Sequence, residues 1–109
     1  MNDCIFCKIR DKIIPKEFTY EDEEIMVFPD IHPVAPIHLL IIPKKHIEDY
    51  IDHNEDKLIL KMTKTIQNMV KKFALENQGY RIVVNGGGAQ VIDHLHIHLM
   101  GKIGHKVKM

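Results

Sequence analysis

The chain has 109 residues, 45% hydrophobic and 28% charged, which is the composition of an ordinary globular protein of one domain. Its 15 Lys and Arg residues balance 15 Asp and Glu residues, and a net charge of zero argues against a nucleic acid polymer as main partner. Two cysteines, no basic leader and no apolar run of membrane-spanning length predict a cytoplasmic protein without a disulfide framework or membrane partner. We expect a single domain over residues 1–109.

The first half of the chain predicts one short helix and three strands. Residues 4–10 favour a short helix that ends near Lys12. Residues 18–21 and 25–28 favour two strands that pair as a hairpin around an acidic turn. Residues 38–43 are continuously apolar, which is typical of a central strand buried on both faces.

The second half predicts one long amphipathic helix and two strands. Apolar residues recur at helical spacing from Asn54, the expected N-cap, to Gly79, the expected C-cap residue, and this stripe is interpreted as core packing. Residues 80–85 predict a strand, and another begins near Asp93 after a glycine turn. The order of elements predicts an α+β fold with an antiparallel sheet, followed by a loose tail over residues 101–109.

Three histidines on alternate positions, His94, His96 and His98, carry the clearest chemical signal. A strand has a side-chain period of two, so the three imidazoles are expected on one surface and the intervening apolar residues on the other. An exposed strand face that happens to carry histidine would explain one or two such residues, but three in strict alternation beside a glycine-rich turn disfavour it. Two functional interpretations are a metal site, with three imidazoles around a zinc ion and an open water position, and attack on a phosphate by one ring.

The stretch from His94 to Met100 resembles the signature of the histidine triad (HIT) family, in which three histidines alternate with apolar residues. Residues 28–31, 35–38, 42–47 and 80–85 are similar, in order and approximate spacing, to the Hint branch of that family. The resemblance covers residues 4–101. It implies a homodimer in which two five-stranded antiparallel sheets join, with a long helix and a short N-terminal helix in each subunit.

The resemblance also implies an activity, hydrolysis at the α-phosphate of purine nucleoside phosphoramidates or related nucleotidyl compounds. His96 would be the nucleophile that forms a nucleotidyl-histidine intermediate, and the backbone carbonyl of His94 would hold the far nitrogen of its ring. His98 and Gln90 would donate to the phosphate oxygens. Asp30 would accept from the ribose hydroxyls, Asn85 would lie near the sugar or phosphate, and apolar residues would enclose the base. The apolar set comprises Ile5, Phe6, Ile9, Phe28 and Ile31.

The pair Cys4 and Cys7, together with His46 and His94, provides two thiolates and two imidazoles, which is a closed tetrahedral zinc set. Many bacterial-type members of the family that the chain resembles use this set at matching positions, so a structural zinc is expected and no organic cofactor. A redox pair and two free buried thiols are the alternatives. The remaining histidines are interpreted as surface or structural residues. They are His32, His38, His53 and His105.

Two features depart from the Hint pattern. The loop from Asn85 to His94 is about two residues shorter, with Val91 where relatives commonly carry Ser or Thr. No Trp-Pro-Pro-Gly segment follows Gly101. The hydroxyl that Val91 lacks helps to hold the phosphate in relatives and so bears on rate and leaving-group preference, while the missing segment bears on specificity. A nucleotide-binding regulatory module with little turnover is an alternative function.

Overall fold

The computed structural model describes residues 3–109; Met1 and Asn2, part of the stretch used to predict a cytoplasmic protein, lie outside the described residues. Its strands are β1 Tyr20–Glu21, β2 Ile25–Pro29, β3 Ile37–Pro43, β4 Tyr80–Val84 and β5 Ile97–Gly101. They form one antiparallel sheet in the order β1-β2-β3-β5-β4. The predicted α+β fold with a five-stranded antiparallel sheet is confirmed, and so is the predicted hairpin.

Helices cover both faces of the sheet. The short helix α1 spans Ile5–Arg10, the long helix α2 spans Asp56–Lys72, and a one-turn 3-10 helix lies at Tyr50–Asp52. Leu39 and Ile41 of β3 belong to the core cluster that contains the buried face of α2, whereas Leu40 and Ile42 belong to the cluster that contains Phe6 of α1. The central strand is therefore buried on both faces, as its continuous apolar run predicted.

The long helix is shorter than predicted at both ends. Its N-cap is Glu55 rather than Asn54, and its C-cap is Phe73, well before Gly79. The helix ends early because Ala74 adopts a left-handed backbone with a φ of 54°. The amide of Leu75 then bonds the Val70 carbonyl at 2.8 Å, which is the 6→1 bond of a Schellman motif.

Gly79 serves a different purpose from the one predicted. Its φ is 75°, and a Cβ atom there would lie 1.7 Å from the carbonyl oxygen of Gly104. Only glycine fits this close approach between the turn before β4 and the C-terminal segment. That segment is not loose as predicted, since the Gly104 amide bonds Gln78 at 3.1 Å and the Arg81 guanidinium donates to the Lys108 carbonyl at 2.7 Å.

The histidine strand begins later than predicted, at Ile97 rather than near Asp93. Residues 91–96 are not part of the sheet. The Leu95 amide instead donates to the Ile47 carbonyl at 2.6 Å, which holds this stretch beside the segment that follows β3. Leu95 and Leu99 nevertheless pack in the core cluster on the α2 side, which confirms the predicted apolar face. No helix within residues 3–109 is long and apolar enough to cross a bilayer.

Candidate functional site

A cavity of about 500 Å³ opens on the α1 side of the sheet and gathers most of the predicted nucleotide-binding residues. Histidines of the β5 region form one part of its wall, and aromatic and aliphatic side chains of α1 and β2 form another. The predicted residues that line it are Ile5, Phe6, Ile9, Phe28, Asp30, Ile31, Asn85, His96 and His98. A mostly apolar cleft with a few converging polar groups is typical of a small-molecule site.

His96 is held so that one ring nitrogen remains available to the cavity. Its Nδ1 lies 2.7 Å from the carbonyl oxygen of His94, and a carbonyl oxygen only accepts, so Nδ1 carries the proton and donates it. The neutral ring then has an unprotonated Nε2. Phe6 packs edge-on against the ring, with centroids 5.2 Å apart, and His96 is buried. This is the arrangement that an imidazole nucleophile requires.

His38 is a cavity residue that the sequence interpretation placed among surface or structural histidines, and the structure corrects this. It is buried on β3, where its Nδ1 accepts from the Val34 amide at 3.1 Å. In the neutral ring Nε2 therefore carries the proton, which it donates to Nδ1 of His98 at 2.9 Å. His98 is left with its own Nε2–H as a donor, so Val34 and His38 together fix the tautomer of His98.

Asp30, His38 and His98 also lie close enough together to form a geometric metal-ligand group. The Asp30 Oδ2 atom is 3.5 Å from Nε2 of His38. A metal ion there would need an unprotonated Nε2 on His38, whereas the bond from the Val34 amide keeps the proton on that nitrogen. The arrangement therefore favours a chain of hydrogen bonds over a metal site.

Burial lowers the pKa of His98, and the neighbouring His96 and His38 lower it further, while Asp30 opposes the shift. Two imidazoles within ring contact of a third make a positive charge on it unfavourable. His98 is therefore neutral near pH 7, which agrees with the tautomer assigned from its hydrogen bond. A neutral His98 can donate its Nε2–H into the cavity, and it places no positive charge beside the His96 ring.

A second cluster brings together the four predicted metal ligands, Cys4, Cys7, His46 and His94. Distances between their ligand atoms include 3.2 Å from Cys4 Sγ to His94 Nδ1, 3.3 Å from Cys7 Sγ to His46 Nδ1, and 3.1 Å between the two Nδ1 atoms. Metal bonds of about 2.0–2.3 Å at tetrahedral angles place ligand atoms roughly 3.3–3.8 Å apart. The three observed separations lie at or slightly below the lower end of this range, and all four ligand atoms are within 4.8 Å of one another, so the residues can close around a tetrahedral metal ion with small side-chain shifts.

The hydrogen bonds of the His94 ring also agree with a role as a metal ligand. Its Nε2–H donates to the Pro43 carbonyl at 2.7 Å, which leaves Nδ1 unprotonated and directed at the thiols. Burial is the main reason that the pKa of His94 falls to about 4, so the ring is neutral near pH 7. A ligand histidine whose other nitrogen donates to a backbone carbonyl is a common feature of metal sites.

The three alternating histidines thus lie on the α1 side of the sheet, but they divide between two sites, the metal-ligand cluster and the cavity. Phe6 contacts the rings of both His94 and His96. The His94 imidazole joins the cysteines, whereas His96 and His98 line the cavity. Within residues 3–109 the three do not form a metal-ligand group, so the interpretation as three zinc ligands is not supported.

The glycine loop is fastened to the segment after β3 by a residue that the sequence did not suggest. Asp49 accepts from the Gly87 amide at 2.8 Å, and a Cβ atom on Gly86 would lie 2.6 Å from its Oδ1. Gln90, a predicted phosphate donor, does not line the cavity; its amide instead donates to the Glu48 carbonyl at 3.3 Å. Val91 does line the cavity, with 95% of its surface exposed.

A larger cavity, of about 650 Å³, lies on the opposite side between α2 and β4, and its lining contains no histidine or cysteine. It lacks the nucleophilic and metal-ligating groups that distinguish the first cavity. We therefore place the candidate site at the histidines, beside the smaller cavity.

A comparison with protein-family models matches residues 11–105 to the HIT domain. The chain belongs to the HIT family. Protein HitA of Neisseria gonorrhoeae is 43% identical over 106 residues, which cover 93% of this chain and 97% of that protein. A crystal structure of a HIT family hydrolase from Legionella pneumophila Philadelphia 1 is 42% identical, with a TM-score of 0.86 over 91% of this HIT chain and 92% of that one.

The HIT fold of this chain matches a second solved structure over its whole length. A HIT family hydrolase from Clostridium thermocellum has a TM-score of 0.90 and 35% identity, covering all of this chain (100%) and 98% of its own. The family assignment therefore agrees with the histidine motif, the sheet order and the arrangement of the site.

Proposed function

We propose that this HIT protein hydrolyses purine nucleoside phosphoramidates or related nucleotidyl compounds at the α-phosphate, as in the Hint branch, with His96 as nucleophile. The observation that carries the proposal is the hydrogen bond of 2.7 Å from His96 Nδ1 to the His94 carbonyl, which selects the tautomer whose neutral ring has its free nitrogen at Nε2, beside a cavity of about 500 Å³. The similar proteins from Legionella and Clostridium are HIT family hydrolases, which supports the same class of reaction.

The first step forms a covalent intermediate. The lone pair of His96 Nε2 bonds to the α-phosphorus while the phosphorus–nitrogen bond to the leaving amine breaks, and the amine takes up a proton from the solvent. The positive charge that develops on the ring is stabilised by the Nδ1–H bond to the His94 carbonyl. The His98 Nε2–H donates to the phosphate oxygens in the same step.

The second step restores the nucleophile. Water bonds to phosphorus, the bond to His96 Nε2 breaks, and the proton that water releases balances the one gained by the amine. The product is a nucleoside monophosphate. Asp30 holds the ribose hydroxyls, Asn85 lies near the sugar or phosphate, and the apolar lining covers the base.

The cluster of Cys4, Cys7, His46 and His94 is proposed to hold a structural zinc ion, which supplies a crosslink and takes no part in the reaction. The ligands come from the start of α1, from the segment after β3, and from residues 85–96 between β4 and β5, here called the histidine loop. Zinc would therefore fasten the N-terminus to the loop that carries His96.

A homodimer is proposed through β4, which is an edge strand of the sheet. Its outward residues Tyr80, Ile82 and Val84 are large, apolar and 36–49% exposed, and they line the larger cavity. An unpaired edge with an apolar row is a suitable surface for extending the sheet across two copies.

The test is hydrolysis of an adenosine phosphoramidate by wild type, His96→Ala and a control variant, His105→Ala, each with and without a metal chelator. We expect wild type and the control to be active, His96→Ala to lose activity by a factor of 10³ or more, and wild type that remains folded to keep activity in chelator. An inactive wild type that binds nucleotide would favour the regulatory module. Full activity of His96→Ala would contradict the nucleophile assignment.

A further inference from the structure

Lys16 lines the cavity although it belongs to no part of the histidine motif. Its ammonium lies 4.9 Å from the centroid of the Phe28 ring, on the aromatic side of the wall. Phe28 is on β2, which is separated from the histidine strand β5 by β3. Lys16 therefore belongs to the part of the cavity wall that contains Phe28, two strands away from His98 in the sheet order.

The ammonium of Lys16 has no carboxylate partner within residues 3–109, which sets it apart from its neighbours. Lys12 and Lys44 both pair with Glu21. Asp30 is the carboxylate that lines the cavity, and its bonds are to the His32 amide and the histidine group. Lys16 is also partly buried. The apolar end of the cavity therefore carries one cation whose donors are not used.

A lysine ammonium has three donors and no acceptor, so it distinguishes bases by their acceptors. A 6-oxopurine presents two neighbouring acceptors, O6 and N7, whereas adenine presents N7 beside an amino donor. In the proposed binding mode the phosphate lies at His96 and the ribose at Asp30, which leaves the end of the cavity lined by Phe28 and Lys16 for the base. The ammonium then meets the outer edge of the base.

We propose that Lys16 is a specificity-determining residue that makes the cavity favour 6-oxopurine nucleotides, guanosine and inosine, over adenosine. The inference rests on the proposed nucleotide function of the same cavity. It concerns the base alone and does not depend on the nucleophile. Inosine and adenosine are the informative pair because they differ only at the 6-position and N1 of the ring.

The test is calorimetric titration of inosine monophosphate and adenosine monophosphate into wild type, Lys16→Met and Lys12→Met. Methionine keeps an unbranched apolar side chain against Phe28 and removes the charge. Lys12 is the matched control, since its ammonium lies over the Phe18 ring at 4.2 Å but does not line the cavity. We expect wild type to bind inosine monophosphate about 5- to 10-fold more tightly, the low end for a lysine contact with O6 and N7.

In Lys16→Met we expect the affinity ratio to fall to about one through weaker binding of inosine monophosphate, and in Lys12→Met we expect the wild-type ratio. Equal affinities in wild type, or a ratio that persists in Lys16→Met, would overturn the inference while leaving the proposed function intact. Failure of wild type to bind either nucleotide would overturn both. Selective binding without hydrolysis of a phosphoramidate would support the role of Lys16 and contradict the proposed reaction.

Discussion

His94 contributes two atoms to two different places in the molecule. Its imidazole faces Cys4 and Cys7, while its backbone carbonyl holds the Nδ1–H of His96 at 2.7 Å. A displacement of the His94 ring therefore also displaces the group that fixes the tautomer of the proposed nucleophile. In the proposed mechanism the first histidine of the triad positions the second through its backbone carbonyl, and the first histidine itself does not line the cavity.

His38 is expected to act through His98 rather than on the substrate. Replacing it in His38→Phe removes the donor at 2.9 Å that keeps Nδ1 of His98 unprotonated. We expect kcat for an adenosine phosphoramidate to fall roughly 10- to 100-fold, less than the loss of a group that transfers a proton directly. A steady-state assay of kcat and KM checks this.

If His38 were only structural, His38→Phe would change stability but leave the tautomer of His98 as it is; a role through His98 predicts a changed tautomer. The His38→Phe variant should stay folded with a modest fall in unfolding temperature, because phenylalanine fills the buried site but the Val34 amide loses its acceptor, and the nitrogen signals of His98 in an NMR spectrum should show a changed tautomer. An unchanged His98 tautomer together with unchanged kcat would contradict the proposed chain of hydrogen bonds.

At the scale of elements, residues 46–49 act as a support for the loop that precedes β5. The Ile47 carbonyl accepts from Leu95 at 2.6 Å, the Glu48 carbonyl from Gln90 at 3.3 Å, and the Asp49 carboxylate from Gly87 at 2.8 Å. His46 adds its ring to the cluster with His94. The loop that presents His96 is thus held along its length by one short segment.

The end of α2 offers a test of backbone strain. Ala74 has a φ of 54°, which costs an L-residue with a Cβ roughly 1 kcal/mol, and glycine avoids this cost but loses entropy in the unfolded chain. We expect Ala74→Gly to raise the free energy of unfolding by about 0.5 kcal/mol, measured by urea denaturation. A fall in stability would show that the methyl group contributes more than the strain costs. Ala89→Gly, at the end of the glycine turn of residues 86–88, is the control: Ala89 has no positive φ, so this substitution should not raise the free energy of unfolding.

At the scale of the whole molecule, the cysteine and histidine cluster joins parts of the chain far apart in sequence. Cys7 and His94 are separated by 87 positions, and their ligand atoms lie 3.5 Å apart. Because the ligands come from the N-terminus, the middle and the histidine loop, a bound ion closes long loops of the unfolded chain and stabilises the folded state.

Removal of zinc is therefore expected to destabilise the protein. With free Zn²⁺ at about 1,000 times its dissociation constant, binding to the folded state alone adds about 4 kcal/mol. Thermal unfolding of wild type should shift to lower temperature in chelator, whereas Cys7→Ser should show little difference between the two conditions. Identical unfolding of wild type with and without chelator would contradict a structural zinc site.

Patterns within short stretches of sequence predicted the fold well. Three patterns predicted which faces are buried: the continuous apolar run of β3, the helical spacing of apolar residues in α2, and the alternation around Leu95 and Leu99. The helix ends were predicted less well, because the left-handed turn at Ala74 depends on the packing of the buried Leu75 rather than on a glycine.

The sequence by itself determined the histidine motif, the sheet strands and the cysteine pair, because these depend on residue type and local period, and most of the cavity residues were predicted through the resemblance to the HIT family that the motif carries. The tertiary structure decided where His38 and Lys16 lie. Strand register sets Leu40 opposite His98 and so places His38 beside it, and the packing of the segment before β1 brings Lys16 to Phe28. Register and packing arise from bonds between distant parts of the chain, and no local pattern records them.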